Sequence, residues 1–305
     1  MKIVFMGTPD FAVPCLQALL DASYEVTGVF TQPDKPKGRG YQLAPPPVKE
    51  LAESRGIPVF QPKTLRDGAA LEQIKSCSPD LIIVVAYGKI LPKEVLELPQ
   101  LGCINVHASL LPKYRGAGPI QWAILSGETV TGVTTMYMAE GIDTGDMLES
   151  ASLEIGADET ADELHDRLSA LGAELLLSTV EKAVNGQLKP QKQDDALSSH
   201  APMLTKELSQ IDFRKPAQQI HNQIRGLSSW PAAYTCYQGK RLKVYASHIA
   251  CGSGEPGELL DPKKFVVACG EGAVELAVVQ YEGSRKMTGG EFLRGKKPGS
   301  REILG

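Results

Sequence analysis

Asn105 and His107 stand two residues apart in "GCINVHAS" (102–109), an apolar run that ends against the Pro-, Arg- and Gly-rich turn "LLPKYRGAGP". Side chains alternate across a strand, so the amide and the imidazole share one face while Ile104 and Val106 occupy the other. Two N–H donors converging where a strand ends are what a developing carbonyl oxyanion needs. Each preorganised donor of this kind is worth roughly 100- to 1000-fold in rate. Taken alone, the pair also reads as two buried polar groups with local partners. Asp143 extends the set. It lies in "GIDTGD", where two glycines widen the backbone choices that could bring a carboxylate into a cleft. Alone, that segment also reads as a structural hairpin in which Asp143 and Asp146 bond the backbone. A carboxylate beside an imidazole orients the ring and favours its cationic form. Asn105, His107 and Asp143 together suit acyl transfer to an amine. Aliphatic α-amines titrate near about 8, so part is neutral at pH 7 and no strong base is required.

These side chains need a frame to hold them. "KIVFMG" (2–7) and "YEVTGVFTQ" (24–32) read as buried strands, and "IPVFQP" (57–62) as a short one. "DLIIVVAYGKIL" (80–91) is the most apolar run and is expected as a central strand buried on both faces. Pro14 forces the first helix to begin near Val13. Strands alternating with helices imply a doubly wound sheet, whose ligands bind at the carboxyl ends of the strands. "GVTTMYMAEGIDTGDMLESASLEI" (132–155) reads as a hairpin added to it, which makes the sheet mixed. "ETADELHDRLSALGAELLLSTVEKAVNGQ" is the clearest helix. Thr160 and Glu163 form a capping box, Leu164, Leu168, Leu171 and Leu175 an apolar stripe, and Asn185-Gly186 the stop. Residues 1–188 are therefore expected as one α/β domain.

Residues 189–205, polar and without period, are expected as a linker. From 206 to 305 one helix, "PAQQIHNQIRGL" (216–227), precedes short Gly-punctuated β-like runs, the pattern of a small OB-like barrel.

The chain has 305 residues, 42% hydrophobic and 22% charged, and no run near the roughly 20 apolar residues that span a bilayer. Six scattered cysteines without a CxxC pair, and five unclustered histidines, give no pattern for disulfides or for a metal site. A cytoplasmic protein is the expectation. The net charge of −4 hides an asymmetry: from Lys206 onward there are 15 Lys+Arg against 10 Asp+Glu, so the final hundred residues are basic and the rest acidic. A basic second domain suits a polyanion. The turn "MGTPDF" after the first strand lacks GxGxxG, and no P-loop Lys-Ser/Thr is present, which argues against nicotinamide and ATP sites. The connection 31–49, "TQPDKPKGRGYQLAPPPVK", is long for a strand-to-helix loop. It carries Lys35, Lys37, Arg39 and Lys49, either as a solvated loop or as a basic finger for a phosphate backbone.

"GTPDFAVPCLQALL", "VFTQPDKPKGRG", "VVAYGKILP", "INVHASLLPKYRGAGPIQWAI", "GIDTGDML" and "SSWPAAYTCYQGKRLKVYAS" together resemble the methionyl-tRNA formyltransferases, within the folate-dependent formyltransferase family. The resemblance covers nearly the whole chain and is weakest over the last thirty residues. It implies a formyltransferase domain followed by a tRNA-binding OB-like domain, with 10-formyltetrahydrofolate as donor and initiator methionyl-tRNA as acceptor. Neither a metal nor an obligate protein partner is implied, and a monomer is expected. By the same resemblance Asn105, His107 and Asp143 are the catalytic trio. Ser109, Leu110, Leu111 and Pro112 contact the folate, while Ala86, Tyr87, Gly88 and Ile90 belong to the pterin-pocket wall. Arg39 takes the key basic position of a loop that meets the acceptor stem. Ala108 stands where many relatives have Gly. Related glycinamide-ribonucleotide and sugar-nucleotide formyltransferases and formyltetrahydrofolate hydrolases share such a trio, but lack the combination of basic loop and basic barrel.

Overall fold

The computed structural model describes residues 1–37, 42–261, 263–296 and 302–305. The chain divides into two compact units. One comprises 1–116, 132–153 and 165–200, the other 117–131, 154–164 and 201–305.

Seven strands form the main sheet of the first unit: β1 (Lys2–Gly7), β2 (Glu25–Phe30), β3 (Val59–Phe60), β4 (Leu81–Val85), β5 (Cys103–His107), β6 (Val130–Tyr137) and β7 (Met147–Glu154). Their spatial order is β7-β6-β5-β4-β1-β2-β3. The chain starts at β1, builds outward through β2 to β3, and returns beside β1 as β4. That reversal is the switch point at which open α/β sheets bind ligands. Pairing is parallel from β3 through β5, and β6 then runs antiparallel to β5, so the sheet is mixed α/β and Rossmann-like.

The strand chemistry follows burial. β4, "LIIVV", is buried at every position. Burying each such aliphatic side chain stabilises the fold by about 1.5–3 kcal/mol. The run 80–91 is not one strand, however. It stops at Val85 because Ala86 (φ 46°) and Gly88 (φ 77°) turn the chain left-handed, and a ladder cannot continue through that geometry. Helix α1 (Val13–Asp21) carries Pro14 in its first turn, where the missing N–H costs nothing.

Helix α2 (Ala161–Val184) begins with the expected capping box: Thr160 N–H donates to Glu163 Oε2 at 2.9 Å, and Glu163 N–H to Thr160 Oγ1 at 3.3 Å. Gly186, at φ 63°, follows its last turn. Its buried line runs through Leu164, Leu168, Leu176 and Val180, with Leu171 and Leu175 only half-buried. The line continues through Gly172 because the backbone there comes close to the sheet: a Cβ would lie 3.1 Å from Val106 Cγ1. Steps of four, rather than an alternation of four and three, keep the helix on the apolar face of β5 and β6.

The connection 31–49 contains a short antiparallel ribbon pairing Lys35–Lys37 with Gln42–Ala44. Gly38, Arg39, Gly40 and Tyr41, and with them the expected key cation, lie outside the described residues.

In the second unit, helix α3 (Ala217–Gly226) accompanies an antiparallel sheet of β8 (Ala233–Tyr237), β9 (Lys240–Ala250), β10 (Leu259–Asp261), β11 (Val266–Ala268), β12 (Ala273–Tyr281) and β13 (Met287–Thr288). The order is β8-β9-β12-β11-β10, with β13 also on β12. Among the described residues no strand pairing joins β8 to β10, so no closed barrel of the kind anticipated from the strand spacing is found there, although residues 302–305 hydrogen-bond both to β10 and to Cys236 of β8. The sheet packs Phe265, Phe292, Tyr237, Leu276 and Val279 into one apolar core with Ile220 and Ile224 of α3.

Candidate active site

Strand β5 ends at the carboxyl edge of the sheet with Asn105 and His107 on one face. Both are almost wholly buried, at 8% and 6% exposure. Register fixes their neighbours: Asn105 lies opposite Val84 on β4 and Met136 on β6, and His107 opposite Thr134. Among the described residues no hydrogen bond takes up the Asn105 amide, which leaves its N–H₂ as a donor at the strand end.

His107 lies between two acceptors. Its Nε2 is 2.9 Å from the Tyr114 carbonyl, so that nitrogen carries a proton and donates it. Its Nδ1 faces Asp143 Oδ2 at 3.5 Å, long for a direct hydrogen bond but close enough for an ion pair. The same carboxylate oxygen accepts the Gly116 N–H at 2.8 Å. Asp143 adopts φ 52°, a left-handed conformation that costs a non-glycine residue about 1–2 kcal/mol and that Asp tolerates better than most. Something must hold it there. Gln193 does so, its Nε2 donating to the Asp143 carbonyl at 2.8 Å and to the Gly145 carbonyl at 2.7 Å. Arg115 Nε in turn donates to Gln193 Oε1 at 2.9 Å, and its far nitrogen to Asp195 at 2.8 Å.

The segment 109–112 is shaped from within. Ser109 is fully buried and its hydroxyl donates to the Lys113 carbonyl at 2.6 Å, closing a turn. Thr134 Oγ1 donates to the Ser109 carbonyl at 2.7 Å and accepts the Leu111 N–H at 3.1 Å. Leu110 and Pro112 are half-buried, and Leu111 is buried. On the β4 side, Ala86, Gly88 and Ile90 are exposed, Ile90 at 63%. Tyr87 differs: its ring is part of the core with Val4, Met6, Phe30 and Leu65. Burial pushes its phenol far above the ordinary range, and only its carbonyl is used, accepting from Gln32 at 3.0 Å.

Of the expected cations, Lys35 is exposed and Lys37 lies on the ribbon. Lys49 is committed elsewhere. Its ammonium bonds both Asp34 carboxylate oxygens and Gln61 Oε1, each at 3.0 Å. Hydrogen bonds from Gln61 and Lys49 hold the Asp34 carboxyl below the usual carboxylate range. The structure therefore brings Asn105, His107 and Asp143 together, with 109–112 at the same edge of the sheet, and uses Lys49 as a strut for the loop base. Four contributors were missed by sequence reasoning: Thr134, the Tyr114 carbonyl, the Gly116 N–H and Gln193. Gly116, in "YRGAG", carried a weak turn signal, and Gln193, in "KPQKQDD", carried none. Among the described residues no group of three His, Cys, Asp or Glu could hold a metal ion, and no helix is long and apolar enough to cross a membrane.

Fold and site together define a formyl transferase. A family model described as formyl transferase matches residues 1–180, and one described as formyl transferase, C-terminal domain, matches 203–297. The methionyl-tRNA formyltransferase of Citrifermentans bemidjiense is 52% identical over 307 residues, covering 100% of this chain and 96% of that protein. The enzyme of the same name from Alkaliphilus oremlandii is 50% identical, covering 100% of both. The chain belongs to the methionyl-tRNA formyltransferase family. Among solved structures, the fold is shared with an N-formyltransferase from Helicobacter canadensis in complex with folinic acid and dTDP-3-aminofucose (TM-score 0.69, 20% identity, 94% of this chain and 100% of that one). It is shared too with HypX from Aquifex aeolicus in complex with tetrahydrofolic acid (TM-score 0.68, 19% identity, 99% of this chain), of which this chain spans about half, 48%.

Proposed function

We propose that this protein transfers the formyl group of 10-formyltetrahydrofolate to the α-amino group of methionine esterified to initiator tRNA. The observation that carries the reading is the convergence of Asn105, His107 and Asp143 where β5 ends, in a chain about half identical to methionyl-tRNA formyltransferases along its length.

The uncharged amine attacks the formyl carbon, forming the new C–N bond and a tetrahedral oxyanion. Asn105 N–H₂ and a cationic His107 stabilise that oxyanion. Asp143 supports the imidazolium and receives the proton leaving the amine, through a water. Collapse breaks the bond to folate N10, which takes up the proton returned from Asp143 through the same water. For His107 to serve the oxyanion, the Tyr114 carbonyl must share or release its N–H, a small tightening of the kind catalytic hydrogen bonds undergo when substrate is in place.

The exposed Ala86, Gly88 and Ile90 suit one flank of a flat apolar ring system. Leu110 and Pro112 suit the other, because β4 and β5 end side by side. Tyr87 supports that wall from the core, and Ser109 and Leu111 hold the shape of the 109–112 turn. We assign the chemistry to residues 1–188 and tRNA engagement to 206–305, an OB-like module, with 189–205 between them. We assign contact with the acceptor stem to Lys35, Lys37 and Arg39, with Lys49 bracing the loop base. The protein works in the cytoplasm, as a monomer and without a metal.

The test is transfer from 10-formyltetrahydrofolate to charged initiator tRNA, charged elongator tRNA and free methionine in parallel. Formylation of the initiator species alone is expected. Transfer to free methionine or a purine precursor, but not to the tRNA, overturns the reading.

A further inference from the structure

We infer that Gln193 is a positioning residue for Asp143, clamping the turn that carries this carboxylate so that it stays aimed at His107. The inference rests on the proposed role of Asp143 in formyl transfer.

The turn needs a clamp. Between Ala139 and Thr144 every residue except Asp143 is exposed, so packing does little to fix it. Asp143 itself holds a left-handed backbone, φ 52°. The two carbonyls that Gln193 Nε2 engages, those of Asp143 and Gly145, bracket the Asp143–Thr144–Gly145 backbone at 2.8 and 2.7 Å. One amide thus uses both of its N–H donors on the main chain that orients the carboxylate. Its own orientation is set by Arg115, whose Nε donates to Gln193 Oε1 at 2.9 Å.

The contacts close a ring. Arg115 precedes Gly116, whose N–H donates to Asp143 Oδ2 at 2.8 Å. Asp143 is therefore gripped at its carboxylate from the 115–116 backbone and at its carbonyl from Gln193, and Arg115 ties the two grips together. Gln193 touches none of the expected reacting atoms, so its effect is transmitted through Asp143. The burial pattern points the same way. From Lys189 to His200 every other residue is exposed, and Gln193 alone turns inward. The segment is itself anchored, with the Gln191 and Met147 backbones exchanging hydrogen bonds at 2.8 and 2.9 Å and Arg115 N–H donating to the Ser199 carbonyl at 2.9 Å.

The experiment is a double-mutant cycle on the full chain, using single-turnover transfer from 10-formyltetrahydrofolate to charged initiator tRNA. Gln193→Met keeps the side-chain length and removes both donors and the acceptor. The expected result is a rate lower by roughly 10- to 100-fold with KM for either substrate within about twofold, since misplacement of about 1 Å is enough for such a loss. In an Asp143→Asn background the same substitution should cost less than about twofold, because the two act through one group. A purely structural role would multiply the two losses, and that outcome overturns the inference. So does a Gln193→Met enzyme at wild-type rate beside a crippled Asp143→Asn enzyme. If Asp143→Asn is itself at wild-type rate, it is the reading of the site that fails. Should Gln193→Met not fold, Gln193→Asn, too short to reach both carbonyls, is read by the same criteria.

Discussion

Two buried imidazoles in this chain each lie beside a carbonyl and a carboxylate. His107 faces a carbonyl and a carboxylate, 2.9 and 3.5 Å away. His221 in the second unit bonds Ser247 Oγ at 2.9 Å and the Ala157 carbonyl at 3.0 Å, and its Nε2 lies 3.3 Å from Asp158 Oδ1. Burial holds its pKa below the ordinary 6.5; the Ala157 carbonyl opposes this, the Arg225 and His248 charges add to it, and Asp158 opposes it. The unfolded chain therefore binds more protons at this position than the folded one as pH drops below about 6.5. Stability contributed by neutral His221 is present above that pH and is lost on acidification through the folded pKa. Melting His221→Gln beside the wild type from pH 7.5 to 5.0 should show the wild-type advantage shrinking toward acid. A constant gap would contradict the assignment. The placement of Asn105 and His107 on one face at a strand end was legible in the sequence because residue type and strand alternation are local facts. Gln193 and Thr134 were not, since their roles are hydrogen bonds to backbone far away in the chain, and a Gln among polar residues or a Thr in a strand carries no mark of its partner.

At the scale of elements, the turn between β6 and β7 carries Asp143, the carboxylate proposed to support His107. Gly145 makes that turn possible: a Cβ there would lie 1.7 Å from the Tyr137 carbonyl oxygen, so any larger residue must push the turn off β6. Gly145→Ala should fold, with the displacement taken up in the exposed turn, and should lower kcat about 100-fold through misplacement of Asp143. Steady-state kinetics beside a thermal melt check this, and a wild-type kcat would show that the turn's position does not matter. The sequence reading found every strand of the first sheet. It overextended the run 80–91, because hydropathy continues to Leu91 while the backbone turns at Ala86. It also missed the ribbon at 35–37 and 42–44, whose pairing is not encoded in an alternating pattern. The segment 189–205 reads as a linker because most of it is exposed; its inward residues, Gln193, Ala201 and Leu204, are invisible to composition.

For the whole molecule, the final hundred residues are basic and the rest acidic, a division that suits the proposed pair of substrates, a small folate and a large polyanion. The fold class was legible because alternating strands and helices allow few arrangements. Closure of the second sheet was not, since short strands at regular spacing serve a barrel and an open sheet equally. The proposed mechanism rests on two donors from one strand end, Asn105 and His107, stabilising one oxyanion, with Asp143 from the turn supporting the imidazole. Asn105→Ala tests this most directly, because it removes one donor and leaves the tRNA-binding surface alone. In single-turnover transfer to charged initiator tRNA, the account predicts a rate lower by roughly 100- to 1000-fold with tRNA affinity within about twofold. A rate within about threefold of wild type would contradict it.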